Sequence, residues 1–346
     1  MTAPAAAIPR TARRTARVDA QAKVNLYLRV LAREASGYHQ LETLFQRLDL
    51  ADHVRVRVGV PGRTLDCDGP AMPADGLGPT ERNLAWRAAV AYAAATGWPD
   101  GFAIEVRKHV PAGGGLGGGS ADAGAVLRCL NALAPRPLDA ASLLRLAMPL
   151  GADVPFLTTD APRALAWGRG ERMLRLPALP PRAAHLALFA EGVNTADAFR
   201  ALAARRGDDA APRPILWSAE RFATWDDVAL VAVNDFERVV FDLRPDVREM
   251  RDALSGIGRQ LLAQRQAAQH AAVGDATAAP PTEDAPGDST PFALMSGSGA
   301  TVALFTPLTA PQVILQIGPG EQGALPRFRF EPTLTAERVA AVEVSE

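Results

Sequence analysis

Between Lys108 and Asp122 the chain reads Lys-His-Val-Pro-Ala-Gly-Gly-Gly-Leu-Gly-Gly-Gly-Ser-Ala-Asp. Six glycines fall within seven residues, and an apolar pattern of helical spacing follows at Val126, Leu127, Leu130 and Leu133. Backbone without a Cβ reaches φ > 0 and lets a ligand approach its N–H groups closely. At the start of a helix, where the dipole is positive, such N–H groups form a cradle for phosphate. The chemistry suggested is phosphoryl binding or transfer. A plain glycine linker does not fit, because an alternating strand (Phe102, Ile104, Val106) leads into the run. A Walker A loop would end in Gly-Lys-Ser/Thr, whereas this run closes with Gly118-Gly119-Ser120 and the nearby Lys108 precedes it. The dinucleotide pattern G-x-G-x-x-G can be read at Gly113, Gly115 and Gly118. Its helix should lead to a buried strand with an acidic end, but the proline-broken Ala134-Pro135-Arg136-Pro137-Leu138-Asp139 follows instead.

Other residues could work with that loop. Residues 22–30 alternate, with Val24, Leu26, Leu28 and Val30 on one face and Lys23, Asn25, Tyr27 and Arg29 on the other. The polar face is either a solvated surface or part of a site. The turn Ser36-Gly37-Tyr38-His39 carries an aromatic ring and an imidazole. In Gly151-Ala152-Asp153-Val154-Pro155-Phe156 a carboxylate stands inside an apolar segment. It is either the N-cap of a short helix begun by Pro155 or a reactive group. A second glycine turn, Met295-Ser296-Gly297-Ser298-Gly299-Ala300-Thr301, precedes a strand at Val302–Phe305.

The elements that must position these groups follow from pattern. A strand is expected at 53–60 (Val54, Val56, Val58, Val60), then a Gly/Pro-rich loop at 59–79. A helix over 83–96 ends at Gly97, strand 102–108 feeds the loop, and helix 121–133 leaves it. Asp139 caps a helix at 140–148. A buried strand with Leu186, Leu188 and Ala190 leads through Asn194-Thr195 into a helix containing Phe199, and helices follow at 228–240 and 246–254. The 346 residues favour two domains, divided as 18–180 and 181–346. The basic tail 1–17 (Arg10, Arg13, Arg14, Arg17) and the Ala/Gln/Pro/Asp/Gly-rich stretch 259–290 are expected to be disordered.

Composition removes several classes. A net charge of −1 gives no general attraction for nucleic acid or anionic membrane, and no apolar run approaches a membrane span. Two cysteines, Cys67 and Cys129, imply no disulfide framework and point to a cytoplasmic protein. Five scattered histidines show no ligand spacing, so no protein-built metal site is expected.

Taken together, Ala22-Lys23-Val24-Asn25-Leu26 with Gly37-Tyr38-His39, the run Pro111–Ala121, Leu150–Phe156 and Met295–Thr301 resemble, in order, the motifs of the GHMP small-molecule kinases. The resemblance spans residues 22–305 and weakens after Phe305. It implies an α+β fold of two domains, an N-terminal one like ribosomal protein S5 domain 2 and a C-terminal ferredoxin-like one, with the site in the cleft between. The Gly-Tyr-His and Gly-Ala-Asp-Val-Pro elements imply transfer of the γ-phosphoryl of ATP to the 2-hydroxyl of 4-diphosphocytidyl-2-C-methyl-D-erythritol. Another GHMP acceptor, of sugar, homoserine or mevalonate type, is the alternative. By the same resemblance Lys23 and Asp153 are the catalytic pair. Pro111, Ala112, Gly113, Gly114, Gly115, Leu116, Gly117, Gly118, Gly119, Ser120 and Ala121 hold ATP, with Lys108 and Asn83 near the nucleotide. Mg²⁺ would sit mainly on phosphate oxygens, near the Ser120 hydroxyl. Asn25, Tyr38, His39, Thr195 and Phe199 line the acceptor site, with Tyr38 and Phe199 sandwiching the cytosine and His39 bonding its polar edge. A monomer or weak homodimer is expected.

Overall fold

Two long strands, β1 (Arg14–Arg33) and β2 (His39–Val58), pair antiparallel from Arg14↔Val58 to Arg33↔His39 and form the spine of the first domain. In this computed structural model, residues 13–33, 39–206, 218–274, 289–308 and 328–345 are described, apart from the side chains of Ala32, Arg33 and residues 268–274. The remaining elements are β3 (Arg63–Asp68), α1 (Leu84–Thr96), β4 (Phe102–Arg107), α2 (Gly118–Leu133), α3 (Ala140–Ala147), α4 (Val154–Thr158), β5 (Arg163–Gly168), β6 (Arg172–Arg175) and β7 (Ala183–Phe189). They continue with α5 (Thr195–Arg206), α6 (Trp225–Val231), β8 (Val233–Asn234), α7 (Glu237–Leu243), α8 (Pro245–Gly274), β9 (Phe292–Met295), β10 (Val302–Thr306), β11 (Phe328–Leu334) and β12 (Glu343–Ser345).

Among the described residues two sheets form. In the first, the order is β12-β1-β2-β4-β3, while β5 pairs with the other half of β2, β6 follows β5, and β8 runs parallel to β1. Its core joins Val54, Val56, Phe102 and Ile104 of the strands to Tyr92 of α1 and to Val126, Leu127 and Leu130 of α2. The second sheet is antiparallel with the order β11-β7-β10-β9. That is the ferredoxin-like order, and α5 to α8 lie between its first two strands in sequence. The domains share a core in which Val24 and Leu26 of β1 meet Leu186 of β7, Trp225 of α6 and Phe305 of β10. The architecture is therefore the two-domain α+β one that the motifs implied. No helix among the described residues is long and apolar enough to cross a membrane.

Local signals explain most elements. Asn83 caps α1 by accepting from the Ala85 N–H at 2.9 Å, and Gly97 ends it at φ 68°. Asp139 caps α3 through the Ser142 N–H at 2.6 Å. Several expectations are corrected. Arg14–Arg17 belong to β1 instead of a disordered tail, because β2 and β12 both pair with them; residues 1–12 lie outside the described residues. The stretch 259–274 continues α8, its alanines and glutamines being good helix formers, and 275–288 lie outside the described residues. The helix expected over 228–240 is interrupted by β8, where Asn234 donates to the carbonyls of Met295 and Gly297 at 2.7 Å each. The loop 59–79 contains β3, which is parallel to β4. Since β8 and β12 join the first sheet, a single cut near residue 180 does not follow the sheets.

One buried cation fixes a part of the fold that the site needs. The Arg47 guanidinium donates to the carbonyls of Ala161, Phe156 and Thr159 at 3.0–3.1 Å and lies 5.0 Å from the Phe156 ring centre. It ties α4, and with it the preceding Asp153, to β2. Burial lowers its pKa to about 9. Arg47→Met removes the guanidinium donor of the Ala161 and Thr159 carbonyls and one of the donors to Phe156, and we expect a loss of about 2–4 kcal/mol in urea unfolding. A change well under about 1 kcal/mol would show that the clamp is dispensable.

Candidate active site

The glycine run and the second glycine turn lock together. Gly113, Gly115 and Gly117 have φ of 75°, 80° and 70°. A Cβ on Gly115 would lie 2.2 Å from the Ser296 carbonyl oxygen, so only glycine fits there. The Thr301 N–H donates to the Gly114 carbonyl at 3.2 Å, and the Ser296 hydroxyl donates to the Gly115 carbonyl at 3.0 Å. The helix begins three residues earlier than its apolar pattern indicates, so Gly118, Gly119 and Ser120 form the first turn of α2. No side chain caps this end. Its first N–H groups therefore face the cleft with the positive end of the helix dipole.

Lys23 and Asp153 meet beside this loop. The Lys23 ammonium donates to Asn25 Oδ1 at 2.6 Å and to the Gly115 carbonyl at 3.0 Å, and lies 3.3 Å from Asp153 Oδ2. The Lys23 side chain is 3% exposed and that of Asp153 29%, so the carboxylate is the member open to a ligand. The polar face of β1 is thus buried site and not solvated surface. Asn25 is fixed in turn, donating to Thr43 Oγ1 at 2.7 Å. Asp153 precedes α4 but makes no side-chain cap bond, so capping does not account for it.

A second cluster braces the entrance to the loop. The Lys108 ammonium donates to Asp52 and, at 2.6 Å, to Asp122 Oδ2. Asp52 Oδ1 also accepts the N–H groups of His109 and Val110 at 2.5 and 2.8 Å. Burial alone would lower the pKa of Lys108, but the attraction of Asp122 and Asp52 outweighs it and raises it. Two buried carboxylates share this one ammonium, and Asp122 Oδ1 has no hydrogen-bond partner. Burial, opposed by Lys108 and reinforced by repulsion from Asp52, pushes Asp122 up to about 7.

A cleft of about 1420 Å³ brings most of the expected residues together. Lys23, Asn25, His39, Asn83, Lys108, Pro111 to Ser120, Asp153, Thr195 and Phe199 all line it. Ala121 does not; it is buried in the core under α2. Tyr38 lies outside the described residues. The His39 ring stacks on Phe199, with centres 4.7 Å apart and planes at 19°, a favourable arrangement for two aromatic rings. Phe236 and Phe199 meet edge to face with centres 4.9 Å apart, and Thr195 shares a hydrogen bond of 2.8 Å with Ser298. Asp52, Thr43, Ser298 and Phe236 were not anticipated. Asp122 and Ser298 stand inside the quoted motifs, whereas nothing local distinguishes Asp52 or Phe236.

The proton on Asp122 gives stability a pH dependence. The folded chain holds it up to about pH 7, while the ordinary aspartate value is 3.8. The contribution is therefore complete below the unfolded pKa and is lost as pH rises through the folded one. Wild type should lose stability relative to Asp122→Asn between about pH 4 and pH 7, as read by urea midpoints. Parallel profiles for the two proteins would contradict this.

Comparison with known proteins places the chain among relatives. The model of the GHMP kinases N terminal domain matches residues 83–160. A 4-diphosphocytidyl-2-C-methyl-D-erythritol kinase from Geobacter sp. (strain M21) is 36% identical over 240 residues, 69% of this chain and 82% of the relative. The enzyme of that name from Anaeromyxobacter sp. (strain K) is 40% identical over 244 residues, covering 69% and 74%. A crystal structure of 4-(cytidine 5'-diphospho)-2C-methyl-D-erythritol kinase superposes with a TM-score of 0.58 at 34% identity, covering 83% of this chain and 89% of that one.

Proposed function

The chain belongs to the 4-diphosphocytidyl-2-C-methyl-D-erythritol kinase family within the GHMP kinases, and we propose that the cleft holding Lys23 and Asp153 is its active site. It phosphorylates the 2-hydroxyl of 4-diphosphocytidyl-2-C-methyl-D-erythritol with ATP, a step of the non-mevalonate isoprenoid pathway. The observation that carries the site assignment is the 3.3 Å pair of buried Lys23 and open Asp153 at the mouth of the glycine loop.

Phosphoryl transfer needs positioning and charge stabilisation more than covalent help. The loop 111–120 and the start of α2 receive the triphosphate through backbone N–H groups. Asp153 takes the proton of the acceptor hydroxyl. The freed oxygen forms a bond to the γ-phosphorus, the bond from that phosphorus to the β–γ bridging oxygen breaks, and ADP leaves with the electron pair. The Lys23 ammonium stands beside that carboxylate, 3.3 Å from its Oδ2. Because the same ammonium donates to the Gly115 carbonyl, it also sets the base relative to the donor loop. A Mg²⁺ ion borne by ATP supplies further neutralisation of phosphate charge. The half-buried Ser120 hydroxyl, a hard oxygen donor lining the cleft, would help to hold that ion. The cytosine of the acceptor belongs at the His39–Phe199 pair.

Asp153→Asn keeps the side chain's size and removes the base. We expect kcat, followed by ADP release, to fall by about 10²–10⁴-fold with ATP and acceptor affinities retained in calorimetry. A kcat within a few-fold of wild type would refute the assignment. Phe199→Ala removes a stacking surface worth about 1–3 kcal/mol. The acceptor KM should rise by about tenfold or more while the ATP KM stays unchanged. A rise confined to ATP would put the base pocket at the other nucleotide.

A further inference from the structure

An ammonium has only N–H donors to offer, three in all. Two of those on Lys23 go to neutral oxygens, Asn25 Oδ1 and the Gly115 carbonyl, and the third direction is left for Asp153. The Asn25 amide must therefore present its oxygen to Lys23 and turn its NH₂ group away. The two ends of an amide have nearly the same shape, so packing alone does not choose between them. The choice is made by a hydroxyl. Asn25 Nδ2 donates to Thr43 Oγ1 at 2.7 Å, while Thr43 Oγ1 donates its one proton to the Tyr27 carbonyl at 2.8 Å. With that proton spent, the hydroxyl can only accept from Asn25. Donation runs one way, from Lys23 through Asn25 and Thr43 to the backbone of β1.

The strand pairing brings these groups together. The register of β1 on β2 shifts between Asn25, opposite Phe45, and Tyr27, opposite Leu44, so one extra residue stands on β1. Such a bulge re-aims side chains. Here the Asn25 amide and the Tyr27 carbonyl reach the same hydroxyl of the facing strand. Lys23, Asn25 and Thr43 are 2%, 3% and 1% exposed, so bulk water does not replace a partner lost from this chain. Without the hydroxyl the amide is free to turn, and its NH₂ group would then face a cation. We infer that Thr43 is a positioning residue for the Lys23–Asp153 pair: its hydroxyl holds the Asn25 oxygen toward Lys23 and thereby fixes the ammonium beside Asp153. The inference rests on the catalytic reading of that pair given above.

Steady-state kinetics of the full chain carrying Thr43→Ser, Thr43→Ala or Thr43→Val test it. Ser and Ala lose the same methyl group and differ only in the hydroxyl, while Val keeps the shape and loses the hydroxyl. Thr43→Ser should keep kcat within about threefold of wild type, and Thr43→Ala and Thr43→Val should lower it by about tenfold or more, with the ATP KM within about threefold throughout. A residue that merely packs gives the reverse order, with Val active and Ser as impaired as Ala, and that result overturns the inference. So does a kcat within about threefold of wild type in Thr43→Ala. If Thr43→Val fails to fold, the comparison of Ser with Ala decides by itself. A double-mutant cycle reads the link through Asn25. In an Asn25→Ala background, Thr43→Ala should lower kcat by less than about threefold more, and losses that multiply in full overturn the inference. Lys23→Met separates the two readings. If it keeps kcat within a few-fold of wild type, the catalytic reading fails and takes this inference with it; if it loses turnover while Thr43→Ala does not, only the inference fails.

Discussion

One buried ammonium holds the cleft together. Lys23 comes from β1, and its three partners come from separate places: Asn25 on the same strand, Gly115 in the donor loop and Asp153 before α4. A cation in this setting is costly to desolvate and is tolerated only because every partner is an oxygen in place to receive it. The backbone repeats the tie, since the Lys23 N–H donates to the Leu116 carbonyl at 2.9 Å. Strand, loop and the Asp153 carboxylate are therefore one unit.

The second domain reaches the glycine run through its own glycine turn. Its turn at Ser296–Gly299 presses against Gly115, and Asn234 holds that turn from β8, which is paired to β1. The packing is tight enough that the glycines are required by neighbours as much as by φ. The cleft is thus bounded by two sheets that share a common core and are tied where the Leu50 N–H of β2 donates to Thr333 Oγ1 of β11 at 3.0 Å. Displacement of one domain against the other would have to break both.

What could be read in the sequence was what local chemistry dictates. The loop stood out because a run of glycine before an apolar helix has few physical uses, and α1 and α3 because their caps and stops are local. Lys23 and Asp153 were ambiguous alone, since a polar strand face and a helix cap look the same in one dimension. Only their resemblance to a family's motifs paired them, and the fold puts them 3.3 Å apart. Asp52 was invisible for the same reason: it meets Lys108 across 56 residues of chain. Arg14–Arg17 looked like a tail because the strand that covers them, β12, is contributed by residues 343–345. The stretch 259–274 looked unstructured because its composition suits a solvated helix as well as a disordered chain. The stacking of His39 on Phe199 depends on the approach of β2 to α5, which no pattern encodes.

The pairing of β12 with β1 has a kinetic consequence. Thr15 is the partner of Ser345, so this edge of the first sheet closes only through a contact of very high sequence separation. Such contacts form late, since closing a long loop costs entropy before any hydrogen bond repays it. Until then the start of β1 is an open edge, able to recruit a strand from another nascent chain. The residues there guard against that. Arg14, Arg17 and Asp19 place charge along the waiting edge, and charged edge strands resist intermolecular pairing. The arginines that read as a basic tail thus stand on a strand edge, where charge disfavours such pairing.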